Sequence, residues 1–494
     1  MRKNRIKTNF YFKLAYQIVA VLVPLLTTPY LTRTLGATEL GNYGYAYSIL
    51  TYFTIAAVFG FNIYGRREIA KVRDDKTSTS KLFFEIMFSK GITSVISIVA
   101  FVFLSIFYRE YTILLLSLMP FLVYNLIDIT FLIQGDENFQ FVTIRDLMVK
   151  TISIVLIFVL VKQPDDVWVY AVILSSTSFL SMVAMYPYLK KRIERVPLKG
   201  LKVLYHLKKS STFLIPVFAT SVFLYIDKIM IKLITGSSEQ VAFYEEAIKI
   251  ITMLTGITTA LANVIEPRNA NEFAKGNLVA VKENTTKGIN FSILICLPIA
   301  VGIAVIAPVF CPIFFGPGFD PVIPILQIMS CLVPVLSLNE LLGTTYLIPC
   351  NKEKVYSRII LIGTLVNVLT NILFIYLFGC LGAAICTVFS EIVKFAIIDT
   401  YLRKEFGFIG IVKNNFKKIV AIIIMFLLIF PISFLSNGSI RSLIGIVLIG
   451  MLSFAVAIVC FKDKEFDYLV TVCRLRISKT INSISAKINK GKKK

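Results

Sequence analysis

The chain has 494 residues, is 56% hydrophobic and only 16% charged, and its mean hydropathy is +0.78. That excludes a soluble globular protein, in which about a quarter of residues are charged. The net charge of +23 does not point to nucleic acid. Most of the 52 Lys and Arg residues fall in every second loop between apolar stretches, where they face anionic lipid head groups.

A bilayer crossing needs roughly 20 apolar residues, and about fourteen stretches qualify. They lie near 11–33, 42–62, 84–106, 111–133, 143–162, 167–188, 212–234, 243–265, 287–309, 322–347, 357–378, 380–402, 416–435 and 440–461. All are predicted to be helices, because lipid offers a backbone no partners. The basic bias places both termini in the cytoplasm. The first apolar run follows MRKNRIKTN and is too long for a signal core, so no cleavable signal is expected. The chain reads as an all-α polytopic membrane protein, with no loop long enough to fold alone.

In chain order, the first lysines well inside the apolar runs, away from their extreme ends, are Lys90 and Lys150. Each costs roughly 2.5–3.5 kcal/mol if placed mid-span. Lys90 is close enough to a span end to snorkel. Lys150 has Asp146 one turn earlier and a local pair would neutralise it. The basic loop 189–211 then divides the chain. Beyond it come Asp227 and Lys228 in FLYIDKIMIKL, and Glu245, Glu246 and Lys249 in FYEEAIKI. This is the densest polar cluster, readable as pairs locking two helices or as a polar wall along a translocation path. Lys228 and Lys249 are the leading candidates to meet an anionic substrate. Asp227 and Glu245 are coupling or gating candidates. Glu340, with Asn367 and Asn371 on the next span, and Glu391 with Lys394 read as hydrogen bonding between helices. Glu340 or Glu391 is also a candidate carrier of a coupling H⁺ or Na⁺.

The tail 462–494 has Ile and Leu residues at helical spacing with interleaved Lys and Arg, the pattern of an amphipathic helix on the inner leaflet. The eight cysteines form no CxxC and there is one histidine, so no disulfide framework, metal site or cofactor is expected. Gly36, Glu39 and Tyr43 after the first span parallel Gly236, Glu239 and Phe243 after the seventh, and LIQGDENF parallels LIPCNKEK. These parallels suggest a duplicated unit with a cavity between its copies. The expected organisation is a lobe at 1–190, a basic linker at 191–211, a second lobe at 212–402, two further helices within 403–461 and the tail.

The runs LTTPYLTRTLGATELGNYGYAYSI, YGRREIAKVRDDK, LIQGDENF, IDKIMI, FYEEAIKI, VIEPR and GCLGAAICTVFSEIV, in this order, resemble the polysaccharide repeat-unit flippases. These belong to the multidrug/oligosaccharidyl-lipid/polysaccharide (MOP) exporter superfamily. The resemblance implies two six-helix lobes in a V plus two further helices. It implies alternating access and a cationic cavity for an undecaprenyl-pyrophosphate-linked oligosaccharide crossing the bacterial cytoplasmic membrane. Asp227, Lys228 and Lys249 fall on its motifs. Arg33, Arg66 and Arg67 fall in motif positions at helix ends, and Lys150 and Lys394 complete the cationic candidates. The expected partners are the lipid-linked oligosaccharide, membrane lipids, and a polymerase or other glycan-assembly proteins, around a monomer for capsule, O-antigen or exopolysaccharide synthesis. A multidrug antiporter of the same fold is the alternative, disfavoured by the lysines. A glycan polymerase would need a large external loop. The chain is expected to be a transporter, not an enzyme.

Overall fold

The computed structural model describes residues 19, 22–136, 138–197, 200–463, 465–467 and 471. The tail expected to be amphipathic lies almost wholly outside them, as does the start of the first span. The described residues contain no strand. Helix α1 (22–34) is followed by α2 (Gly36–Val58), α3 (Phe61–Val72), α4 (Lys76–Phe107), α5 (Thr112–Ile127), α6 (Thr130–Gly135), α7 (Phe139–Leu160), α8 (Val167–Val183) and α9 (Pro187–Arg192). The second half has α10 (Val203–Thr235), α11 (Ser238–Ala274), α12 (Leu278–Phe315), α13 (Val322–Met329), α14 (Leu332–Leu342), α15 (Glu353–Phe378), α16 (Cys380–Phe406), α17 (Phe408–Asn414), α18 (Phe416–Phe434) and α19 (Ile440–Cys460).

Eleven helices among the described residues are long and apolar enough to cross a membrane. Helices α7 and α10 also occupy expected span positions. Several helices outrun their expected limits. With 37 and 38 residues, α11 and α12 are each about 55 Å long at 1.5 Å per residue. That exceeds a hydrocarbon core of about 30 Å. The basic loops flanking these spans are therefore largely helical extensions, because polar residues permit a helix as readily as a turn. The tenth expected span is broken instead. Its helix restarts after Ser330–Cys331, where Pro334 has no N–H to offer the turn before it, and it ends in a π-helical turn at Gly343–Leu347.

The described residues cluster into two compact units that do not coincide with the two sequence halves. The first comprises Met1–Lys249, Phe314–Ile325 and Ile360–Ser390, and the second Ile250–Ile313, Leu326–Ile359 and Glu391–Lys494. In the first, Phe61, Ile69, Phe83, Ile86, Phe131 and Met182 form a buried apolar core. In the second, Ile265, Leu341, Leu342, Ile359, Ile398 and Leu402 do so, while Val305, Ile422, Met425 and Ile446 join α12 to α18 and α19. Phe103, Leu369, Leu427 and Leu452 are among many large apolar side chains left exposed. A surface this apolar suits lipid, not water.

Candidate functional site

Two tight hairpins build the polar site of the first unit. Helix α10 ends at Gly236, whose φ of +71° is the left-handed turn that glycine adopts without strain. Its N–H donates to the Lys232 carbonyl at 2.9 Å, and α11 starts two residues later. Asp227 and Lys228 on one arm and Tyr244 and Glu245 on the other therefore lie at matching depth. Eight or nine residues of helix place Asp227, Lys228, Tyr244 and Glu245 about 13 Å from the turn, and Lys249 lies about one helical turn farther along α11. Helices α15 and α16 repeat the device around Gly379, at φ +58°. That brings Asn371 and Thr387 to the same level.

The four elements converge on Asp227, which is only 2% exposed. Its carboxylate accepts hydrogen bonds from the Tyr244 hydroxyl, from Asn371 Nδ2 at 2.6 Å and from Thr387 Oγ1 at 3.2 Å. Asn371 Nδ2 also donates to Asn367 Oδ1 at 3.2 Å. Asn371 Oδ1 and Asn367 Nδ2 are buried with no partner among the described residues. A buried amide end without a partner costs about 1–3 kcal/mol.

Lys228 does not pair with the adjacent Asp227. Its Nζ lies 3.2 Å from Glu245 Oε1 across the hairpin and 5.4 Å from the Tyr225 ring centroid. Lys249 lies 2.6 Å from Glu246 Oε1, with 32% of the lysine side chain exposed against 4% of the glutamate's. Glu245 Oε2 and Glu246 Oε2 have no hydrogen-bond partner among the described residues. Tyrosines from the first sequence half complete the surroundings. Tyr43 packs on Tyr170 with centroids 4.7 Å apart, and Tyr47 faces Tyr225 at 6.3 Å. Helix α2 reaches this cluster through Gly44. A Cβ there would sit 2.0 Å from Glu245 Oε2. One turn earlier, a Cβ on Gly41 would sit 1.7 Å from the Ser238 carbonyl oxygen. Only bare backbone allows so close an approach.

Thus Asp227, Lys228, Glu245 and Lys249 come together, and the other candidates lie elsewhere. Lys394 and Glu391 form an ion pair in the second unit, where Asn339 Nδ2 donates to Glu391 Oε2 at 2.8 Å. Glu340, also in the second unit, accepts from Thr259 Oγ1 at 3.0 Å. Arg33 donates to the carbonyls of Pro29 at 2.7 Å and Phe314 at 3.1 Å. Arg66 and Arg67 are exposed on α3. Asp146, the expected partner of Lys150, accepts from Arg145 Nε at 2.9 Å and Nη2 at 2.7 Å.

Lys90 overturns the snorkelling expectation. It is fully buried and lies 3.2 Å from Asp128 Oδ2, while also donating to the Asp128 carbonyl at 3.1 Å. Asp128 sits in the break between α5 and α6, where unused backbone groups and an acid make a socket for the ammonium. Sequence reasoning also missed Asp136 of LIQGDENF. Arg192 grips both its oxygens, at 2.7 and 2.9 Å, and the Tyr188 hydroxyl donates to it at 2.8 Å. The single histidine, His206, falls within the stretch 189–211 that the sequence reads as a basic loop. It is buried on α10, 2.7 Å from the Tyr64 hydroxyl and 2.9 Å from Glu85.

The family model for "Polysaccharide biosynthesis protein" matches residues 6–272. The chain belongs to the polysaccharide biosynthesis protein family. Within curated sequences it is 26% identical, over 82% of its length and 98% of the other protein's, to the "Putative O-antigen transporter" of Escherichia coli (strain K12). Among solved structures it is similar to the lipid II flippase MurJ in an inward closed conformation, with a TM-score of 0.73 at 15% identity, over 92% of this chain and 98% of that one. It is also similar to an inward-facing multidrug resistance MATE family transporter, with a TM-score of 0.60 at 14% identity, over 80% of this chain and 97% of that one. This polysaccharide biosynthesis family member therefore has the fold of the MOP superfamily and is a multi-pass membrane protein.

Proposed function

We propose that the protein is a flippase that carries undecaprenyl-pyrophosphate-linked oligosaccharide repeat units from the inner to the outer leaflet of the bacterial cytoplasmic membrane. The family, the O-antigen transporter relative and the shared fold support a lipid-linked polysaccharide as cargo. The observation that carries the reading is the hairpin cluster: two lysines inside the apolar span region, held by glutamates that each have one oxygen without a hydrogen bond among the described residues. A diphosphate cannot enter hydrocarbon unaided, since burying its charge unpaired is prohibitive. An ammonium that can exchange a glutamate for a phosphate offsets that cost with charge-assisted hydrogen bonds. The neighbouring tyrosines offer flat apolar faces and hydroxyls suited to sugars. The polyprenyl tail can remain in lipid throughout, and no covalent chemistry is called for.

Coupling to an ion fits the Asp227 cluster. An acid, two amides and a hydroxyl from three helices supply oxygen ligands for Na⁺ or a site for H⁺. The close approach of Gly41 and Gly44 to α11 supports a reading in which the path is shut at the end poor in basic residues. Both termini are read as cytoplasmic, with a polymerase and other assembly proteins as partners outside this chain.

Reconstitution tests the proposal. Proteoliposomes are expected to move a fluorescent undecaprenyl-pyrophosphate oligosaccharide between leaflets and to leave a cationic dye where it was. Transport of the dye alone would favour the antiporter reading and overturn this one.

A further inference from the structure

We infer that the first unit carries a binding site for one anionic phospholipid, in a groove between α4, the end of α5 and the segment 186–195. The groove has a volume of about 930 Å³. One wall is Phe84, Phe88, Ile92 and Ile96, four residues apart and therefore on one face of α4. Leu126, Ile127, Leu189 and Ile193 line the opposite side. Gly91 lies in the groove, and a Cβ built on it would meet nothing nearer than Leu126 Cδ1 at 4.0 Å. The hollow exists partly because this position has no side chain.

The charges lie at one end only. Lys190 and Arg195 border the groove and are exposed. Glu194, the third charged residue of that rim, is held by Lys76 at 2.9 Å. Arg192 turns away to Asp136. Among the described residues neither Lys190 nor Arg195 has an ion-pair partner, so the mouth offers two cations above an apolar trough. From Phe84 to Ile96 is twelve residues of helix, about 18 Å, comparable with half of the roughly 30 Å hydrocarbon core. A trough one leaflet deep under a basic rim matches one acyl chain below one phosphate. Basic pockets between membrane helices recognise anionic head groups in this way. A polyprenyl chain is far longer than the trough, which argues for a bilayer phospholipid and not the tail of the cargo. The site lies apart from the hairpin cluster and does not depend on the flippase reading.

Native mass spectrometry of the delipidated full-length protein tests this, with phosphatidylglycerol and phosphatidylcholine offered at equal concentration. Each surface Lys or Arg attracts an anionic lipid by about fivefold, so a preference of roughly tenfold or more for phosphatidylglycerol is expected. The double reversal Lys190→Glu/Arg195→Glu, at exposed positions, should erase that preference with the unfolding temperature unchanged. Gly91→Trp should fill the trough and lower retention of both lipids. Equal retention of the two lipids by the wild type would overturn the inference. So would a preference that survives the charge reversal, or displacement of phosphatidylglycerol by an equal concentration of undecaprenyl phosphate.

Discussion

The pair Lys90–Asp128 and the pair Lys249–Glu246 have the same chemistry and opposite states of completion. Lys90 and Asp128 are 0% and 2% exposed. The carboxylate is further satisfied by the Thr130 N–H at 2.8 Å, so nothing in that socket is left to offer. Lys249 is a third exposed, and its partner Glu246 has one oxygen without a hydrogen bond among the described residues. A saturated ion pair holds structure, and an incomplete one can exchange partners. Position within a span does not tell the two apart. Saturation does.

The largest expected effect breaks the structural member of the comparison. Lys90→Ala leaves Asp128 charged and alone, a loss of about 3–5 kcal/mol for a buried pair. Membrane-inserted protein should fall to a small fraction of wild type by immunoblot, and the double variant Lys90→Met/Asp128→Leu should recover much of it. Normal levels of Lys90→Ala would erase the distinction. Next comes the close contact beside the incomplete pairs. Gly44→Leu drives a side chain into Glu245, and overpacking of this kind costs about 1–3 kcal/mol. The thermal unfolding midpoint in detergent should drop and transport should fall with it.

Asp227→Asn sharpens the comparison from another side, since it keeps the shape of the cluster and removes its charge. It should fold normally and lose its dependence on an imposed Na⁺ or H⁺ gradient, a change of roughly tenfold in rate. The smallest effect lies outside the membrane. Asp75 caps α4, accepting from the N–H groups of Thr77 and Ser78 at 3.2 and 3.1 Å. The hydrogen bonds from Ser78 hold its carboxyl below the usual carboxylate range. Because its folded-state pKa is lowered, its contribution is present at neutral pH and is lost as the pH falls through that lowered pKa. Asp75→Ala should lower the unfolding midpoint slightly at pH 7, and the difference from wild type should vanish in strong acid.

Most of the fold was legible in the sequence. Apolar length and alternating basic loops marked the helices, and the hairpin motifs marked Asp227, Lys228, Glu245 and Lys249 as neighbours because one short turn joins them. What was not legible depended on partners remote along the chain. Asp128 reaches Lys90 across 38 residues, and Arg192 reaches Asp136 across 56. No periodicity encodes such meetings. Asn371 and Thr387 meet Asp227 because two separate hairpins end at the same level, which spacing within either hairpin cannot reveal. Lys228 was written beside Asp227 in the sequence, yet successive residues on a helix point about 100° apart, so the acid across the hairpin took it.

We propose that Lys228 and Lys249 serve the cargo, not the fold. The direct measurement is leaflet-to-leaflet movement of a fluorescent undecaprenyl-pyrophosphate oligosaccharide in proteoliposomes containing Lys228→Ala, Lys249→Ala or Lys394→Ala at matched protein amounts. The first two should lose at least about tenfold in rate, as expected when a charged partner of a phosphate is removed, while Lys394→Ala retains most of it. Wild-type rates for both Lys228→Ala and Lys249→Ala would contradict the account.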